Sequence, residues 1–312
     1  MANITMLQGF EWYLPADHNH WNRLKSEAKR FQNAKIGMVW LPPAYKGASG
    51  RDSVGYDVYD RYDLGEFDQK GTVATKYGTK DAYLACIRAL QDKGIKVLAD
   101  IVVNHMNGAD ACEEVTAAPY DPHERMKQVG EERQIKAWTR FTFPGRNGAY
   151  SDEIWDHTDF NAVDYDGSSG KNGLYLFNGR DWNQETDWEF GVYDYLMGAN
   201  IDIKNSDTMN KLIRWGKWYL DITGADGLRL DAVKHISYEF ITIWLAAMRR
   251  HAGEDFFTVA ECWSGEPSHL LPYLDQVNDA CSLFDVPLHY AFHNASNSDG
   301  RYDMRNLYQG SL

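Results

Sequence analysis

Two short runs hold residues that can do chemistry, GLRLDAVKH at 227–235 and FTVAECW at 257–263. Each has the apolar continuity of a buried strand and ends on an acid, Asp231 in the first and Glu261 in the second. Thirty residues separate the acids, the length of one strand, one helix and two loops. That spacing puts both carboxylates on neighbouring parallel strands at one rim. A carboxylate pair at the C-terminal rim of a β/α barrel suits glycoside hydrolysis: one group attacks the sugar and the other protonates the leaving oxygen. Arg229 precedes Asp231 by two residues and leaves the strand on the same face. A guanidinium there keeps Asp231 charged and oriented, as a nucleophile needs. Glu261, as general acid, must arrive protonated, and its neighbours Val259, Ala260, Cys262 and Trp263 predict an apolar setting that raises its pKa. On spacing alone, a structural ion pair at a strand end explains Asp231 and Arg229 equally well.

The elements that must position these acids follow from periodicity. Strand-like runs fall at Ile4–Leu7, Gly37–Leu41, Ile95–Val103, Gly227–Leu230, Phe256–Ala260 and Ser282–Val286. Between them, Trp21, Leu24, Ala28 and Phe31 fall at helical spacing, as do Tyr83, Ile87 and Leu90, then Met209, Leu212, Ile213 and Leu220, then Phe240, Trp244, Ala247 and Met248. Alternating strands and helices predict an α/β fold with a parallel sheet. A long break follows the third strand, rich in Gly, Asp, Asn and aromatics, with a helical period only near Glu131–Trp138. It is too long for a loop and predicts an inserted subdomain of short strands. The expected organisation is barrel at 1–105, insert at 106–207 and barrel again at 208–312. Six strands can be counted where a closed barrel has eight, with a helix just starting at Leu312, so the reading expects the front portion of a longer protein.

Composition narrows the partners. The net charge of −13 argues against nucleic acid or an anionic membrane surface. The 11 Trp and 19 Tyr suit a groove where flat rings pack on sugar faces, though a large core would also bury many of them. No apolar run is long enough to span a membrane, and the first residues have no basic start or leader-like apolar stretch, so a cytoplasmic protein is expected. The four cysteines form no C-x-x-C and read as free thiols. No phosphate-loop, dinucleotide, zincin or nucleophile-elbow motif occurs. The sequons at Asn3 and Asn294 carry little weight without a secretory leader.

Four stretches together point to a family. DIVVNH at 100–105, YDYLMGANID at 193–202, GLRLDAVKH and FTVAECW resemble motifs of the α-amylase family of glycoside hydrolases. The N-terminal third, with LQGFEWYLPAD, VWLPPAYKG and VGYDVYDRYDLGEFDQKGTVATKYGTK, looks like the bacterial liquefying α-amylases and their intracellular relatives. The resemblance implies a (β/α)8 TIM barrel, an inserted β-rich domain after strand three and a β-rich C-terminal domain. This chain has no counterpart of the family motif at strand seven, which carries a third acid and a His.

The resemblance assigns roles residue by residue. Asp231 is the nucleophile and Glu261 the acid/base. His105 hydrogen-bonds the sugar at the cleavage subsite, and Tyr56 is the platform beneath that ring. Lys234 and His235 lie toward the leaving-group subsites, Trp263 lines the same side, and Asp57 sits at the rim. The resemblance also implies a calcium joining insert to barrel, held by Asn104, acids of the insert and the His235 carbonyl; oxygen ligands of this kind suit Ca²⁺. Asp194 is present, but Asn200, Asn161, Asn183 and Lys204 stand where acids are expected, so at most one weakened calcium is predicted. DYDG at 164–167 lacks the rest of an EF-hand loop. The activity implied is endo-acting, retaining hydrolysis of internal α-1,4-glucosidic bonds in starch, glycogen or malto-oligosaccharides. The alternatives are a transglycosylase or exo-glucosidase of the same family, and an inactive fragment that binds glucan.

Overall fold

Each strand of the main sheet is an apolar run with both faces covered, and each is followed by a helix with one apolar stripe. The computed structural model describes residues 4–312, so the sequon at Asn3 lies outside the described residues. In chain order the strands are β1 (Thr5–Gln8), β2 (Ile36–Trp40), a small hairpin of β3 (Lys46–Gly47) and β4 (Val58–Asp60), and β5 (Lys96–Ile101). The insert adds β6 (His105–Met106), β7 (Ala111–Tyr120), β8 (Arg133–Arg140), β9 (Phe160–Asp166), β10 (Lys171–Phe177) and β11 (Ala199–Ile201). Then come β12 (Gly227–Leu230), β13 (Phe257–Ala260) and β14 (Ser282–Leu283). The helices are α1 (His20–Asn33), α2 (Lys80–Gln91), α3 (Ser206–Thr223), α4 (Tyr238–Ala252), α5 (Pro267–Gln276) and α6 (Val286–Ser296).

The main sheet runs β1-β2-β5-β12-β13-β14, all parallel, which makes a six-strand portion of a (β/α)8 barrel. The alternation of the strands sorts their side chains. Val97, Ala99 and Ile101 of β5 face the helices, while Leu98 and Asp100 face inward. The inward apolar residues Met38, Leu98 and Val259 form a floor beneath the polar layer. Helix caps are local: Thr79, Asn205 and Ser237 each accept a bond from a first-turn backbone N–H, and Gly224 closes α3 in the left-handed conformation at φ 60°. Trp21 of α1 is fully buried between Tyr77 and Tyr83, at ring distances of 5.3 and 4.7 Å, and so locks α1 to α2.

The insert is an antiparallel sheet in the order β6-β11-β9-β10-β7-β8. The helix expected near Glu131–Trp138 is instead β8, because Ile135, Ala137 and Thr139 alternate inward while their neighbours face solvent, a period of two. The sixth barrel strand is also shorter than expected. Asp285 caps α6 by accepting from Leu288 N, and Pro287 sits in its first turn, so the chain becomes helical at Val286. The helix expected to begin at the chain's end therefore lies here, at Val286–Ser296.

Buried ion pairs join insert and barrel. Arg146, from the loop after β8, bonds Asp60 of β4 at 2.8 Å with both side chains almost fully buried. Gln69 donates to Asp60 and to Asp63 at 2.9 Å each, and Lys46 pairs with Asp63 at 3.3 Å. Arg146→Ala would strand Asp60 in a dry site, so an unfolding free-energy loss of about 3–5 kcal/mol is expected by denaturant titration. A loss below about 1 kcal/mol would show that the cluster does not hold the two sheets together.

Candidate active site

Register brings the chemical residues level. Arg229 of β12 lies beside Asp100 of β5 on one side and Val259 of β13 on the other. The next residues up are Asp231 and Glu261, each anchored by its backbone: Asp231 N donates to Ile101 O and Glu261 N to Leu230 O, both at 2.9 Å. One guanidinium then ties three acids together. Arg229 Nη1 donates to Asp100 at 2.9 Å and to Asp231 at 2.7 Å, and Nη2 is paired with Glu261. Asp100, wholly buried, also accepts from Trp40 Nε1 at 2.9 Å and from the Tyr56 hydroxyl at 2.8 Å.

Electrostatics separates the three acids. Burial pushes the Asp100 carboxyl up to about 6, with Arg229 pulling the other way. Burial also raises Asp231 above the ordinary carboxylate value, again against Arg229. Glu261 is the most open of the three, with a side chain 26% exposed against 10% for Asp231. The apolar setting expected for Glu261 is met only in part, by Val259 and Trp263 on its own face. Ala260 and Cys262 point to the helix side by strand alternation, and Glu261 lies on Arg229 instead.

These groups face a cleft of about 600 Å³ between barrel rim and insert. Tyr56, His105, Arg229, Asp231, Lys234, His235, Glu261 and Trp263 all line it. Asp57 does not; it accepts from Ser49 N at 2.7 Å and from the Ser53 hydroxyl, closing its own loop. Tyr56 lies nearly parallel to Trp12, with ring centroids 5.9 Å apart and planes 6° apart, so the platform is two rings wide. His105 donates from Nε2 to Tyr56 O at 2.7 Å, and burial lowers its pKa to about 4. His235 bonds Tyr193 O through Nδ1 at 2.7 Å, and burial lowers its pKa to about 3. Both imidazoles are therefore neutral at pH 7. His105 is fully buried, with Nδ1 against Asn104 Oδ1 at 3.2 Å as well, so it keeps no free nitrogen for the sugar bond expected of it. Trp263 is half exposed and donates to the Tyr290 hydroxyl at 3.0 Å.

Several cleft residues escaped the sequence reading. Gln8, Phe10 and Trp12 stand at or beyond the C-terminal end of β1, and Trp40, which donates to Asp100 without lining the cleft, ends β2; the rim rule applied to those strands would have found them. Glu189 crosses from the insert to pair with Lys234 at 2.6 Å, and no spacing in the sequence announces that contact. Arg61 lies behind the site, donating to Val102 O at 3.2 Å and His105 O at 3.0 Å, and fixes the loop that carries His105. Ala232, next to Asp231, takes a left-handed conformation at φ 46° and ψ 45°. That turn lets Val233 N donate to the carbonyl of Glu261 at 3.1 Å.

The residues expected to hold calcium do meet, at the joint of insert and barrel, but several of their oxygens already have donors. Asn104 Nδ2 donates to His235 O at 3.0 Å. Asp194 accepts from Asn161 Nδ2 at 2.9 Å and Asn183 N at 2.7 Å. Asn200 Nδ2 donates to Asn161 Oδ1 at 2.9 Å and to the Asp194 carbonyl. Burial pushes Asp194 up to about 7. Of these ligand atoms, Asn200 Oδ1 is buried without a partner. Among the described residues, no three His, Cys, Asp or Glu side chains converge as a metal cluster. One carboxylate among amide N–H donors is a poor fit to a cation that takes six to eight oxygens.

Comparison with known proteins places this geometry. The family "Alpha amylase, catalytic domain" matches residues 29–309. The chain is 49% identical over its full length to the glucan 1,4-alpha-maltohexaosidase of Bacillus sp. (strain 707), covering 60% of that protein. It is 48% identical over 99% of its length to the alpha-amylase of Bacillus licheniformis, covering 60% of it. It is 44% identical over its full length to the cytoplasmic alpha-amylase of Escherichia coli (strain K12), covering 64% of it. The chain thus spans about 60% of the length of these relatives. Among solved structures, the alpha-amylase of Geobacillus thermoleovorans matches in fold with a TM-score of 0.54 at 20% identity, over 87% of this chain and 46% of that one.

The raised pKa of Asp100 sets a pH signature for stability. Its folded value of about 6 lies above the ordinary 3.8, so the folded state holds the proton more tightly. The favourable contribution is complete below about pH 4 and is lost as pH rises through about 6. Asp100→Asn removes this titration, so its unfolding free energy relative to the wild type should rise between those pH values. A difference that is flat or falls across that window would show that Asp100 is ionised throughout.

Proposed function

As the chain belongs to the α-amylase family of glycoside hydrolases, we propose that it carries the site of an endo-acting, retaining hydrolase of internal α-1,4-glucosidic bonds in starch, glycogen or malto-oligosaccharides. The observation that supports this most is the guanidinium of Arg229 bridging Asp231 and Glu261 at the floor of an aromatic-walled cleft. Two carboxylates on one guanidinium fork stand close, as the direct attack of a retaining mechanism needs (about 5–5.5 Å). The relatives' names, an alpha-amylase and a glucan maltohexaosidase, support the glucan.

In this reading the sugar ring at the cleavage point stacks on Tyr56 and Trp12 beside His105. Asp231, ionised and held by Arg229, attacks the anomeric carbon as the bond to the leaving oxygen breaks. Glu261 turns from Arg229 to the open cleft, takes up a proton from solvent there, and gives it to that oxygen. The glycosyl ester on Asp231 is then attacked by water, which loses a proton to the Glu261 carboxylate, and Asp231 leaves as the carboxylate again. Two displacements retain the anomeric configuration. Lys234 and His235 form the wall that receives the departing chain. An intracellular setting is supported by the free thiols and by the relative named a cytoplasmic alpha-amylase.

A second reading, glucan binding without turnover, is favoured by one observation. The third acid that the resemblance places at strand seven has no counterpart on the six described strands, and Asp100, fully buried, cannot take its place. Calorimetric binding of maltoheptaose with no new reducing ends would select it.

On soluble starch, Glu261→Gln should lower kcat by about 10²–10⁴-fold. Asp231→Asn should abolish turnover, with thermal unfolding unchanged in kind. Near-normal cleavage by either variant would overturn the roles. Because Asp231 must be ionised and burial raises its pKa, activity should be lost on acidification at a pH above the ordinary carboxylate value of about 4. A kcat/KM profile still level down to about pH 4 would show that Asp231 is not the group titrating.

A further inference from the structure

We propose that the joint between insert and barrel closes without a metal ion, through a network of amides and internal cations that stands in for the single weakened calcium expected from the sequence. The network has two parts. Within the insert, Asn200 reaches Asn161 and the Asp194 carbonyl, and Asn161 and the Asn183 backbone reach the Asp194 carboxylate; on the barrel side, Asn104 reaches the His235 carbonyl. Each of these contacts points an N–H, not a lone pair, at the atom a cation would have to approach. The two parts meet where the His235 ring bonds Tyr193 O at 2.7 Å and Ile201 N donates to Asn104 O at 2.9 Å. Two nearby acids have cations of their own. Arg180 pairs with Asp202 at 2.8 Å, and Lys211 with Asp159 at 2.7 Å. Lys204 acts electrostatically on Asp194 and Asp202, with its ammonium on the Trp182 carbonyl at 3.1 Å.

Charge decides the matter. A divalent ion placed here would meet one carboxylate, Asp194, and would have the Lys204 ammonium as a neighbour. Buried charge that is not compensated is strongly unfavourable. Asn200 Oδ1 and the second carboxylate oxygen of Asp194, which take no hydrogen bond, supply two ligands where calcium takes six to eight. The joint also governs the cleft. His235 accepts from Asn104 at its carbonyl and bonds Tyr193 through its ring, so the amide network sets the wall that faces the substrate.

The test uses the full chain and needs no activity. After purification in calcium-containing buffer and desalting, elemental analysis should find well under one calcium per chain. The melting temperature should agree within about 1 °C in excess chelator and in excess Ca²⁺, whereas a specific ion at 100 times its Kd would add about 2.7 kcal/mol. Stoichiometric calcium, or a melting temperature several degrees higher with Ca²⁺, would overturn the proposal and identify Asn200 Oδ1 as a ligand. The double variant Asn161→Asp with Asn200→Asp adds two carboxylates against Asp194. It should melt lower than the wild type in chelator and recover in Ca²⁺. A variant equally stable in both, and no less stable than the wild type, would show that the amides are not what closes the joint.

Discussion

The site depends on one cation among three acids. Arg229 stands on the inner face of β12, where its guanidinium is almost fully buried, and bonds acids from three adjacent strands. Without it, burying Asp100 and Asp231 side by side would be prohibitive, and neither would stay ionised. With it, the strand register becomes a chemical ruler: a slip of one residue between β12 and either neighbour would turn an acid to the helix side. The barrel supplies level strands, and Arg229 makes that levelness matter.

Much of this was legible in the sequence, for reasons that can be named. Continuous apolar runs ending in polar residues marked β5, β12 and β13, because parallel strands bury both faces. The two-residue step from Arg229 to Asp231 gave their shared face. β8 was misread because Ile135, Ala137 and Trp138 also fit a helical spacing, and only the partner strand β7 resolves the period. The contact on Glu261 was hidden for a related reason. Alternation sends its neighbours Ala260 and Cys262 outward and keeps Val259 and Trp263 on its own face, while the group that contacts its carboxyl is 32 residues away in sequence. Contacts such as Glu189 with Lys234, and Arg61 with the His105 carbonyl, arise from tertiary packing and leave no local pattern.

Insert and barrel meet through two kinds of buried polar contact. At one joint, Arg146 and Asp60 with Lys46 and Asp63 form full ion pairs cross-linked by Gln69. At the other, amides of Asn161, Asn183 and Asn200 surround a single acid of the insert, beside the point where the His235 ring crosses to the Tyr193 carbonyl. The first kind fixes position by charge and tolerates no loss of a partner; the second spreads a single charge over several dipoles. The cleft lies between insert and rim, so its width is set by how these joints hold.

The left-handed turn at Ala232 has its own consequence. A side chain branched at Cβ is barred from that conformation, while glycine would enter it freely. Alanine stands between, and the Val233 bond to the Glu261 carbonyl links the loops that carry Asp231 and Glu261 like meshed teeth. Drift at this one position would therefore desynchronise the two loops without touching either acid. The freedom to vary beside Asp231 is narrowed at a residue with no chemistry of its own.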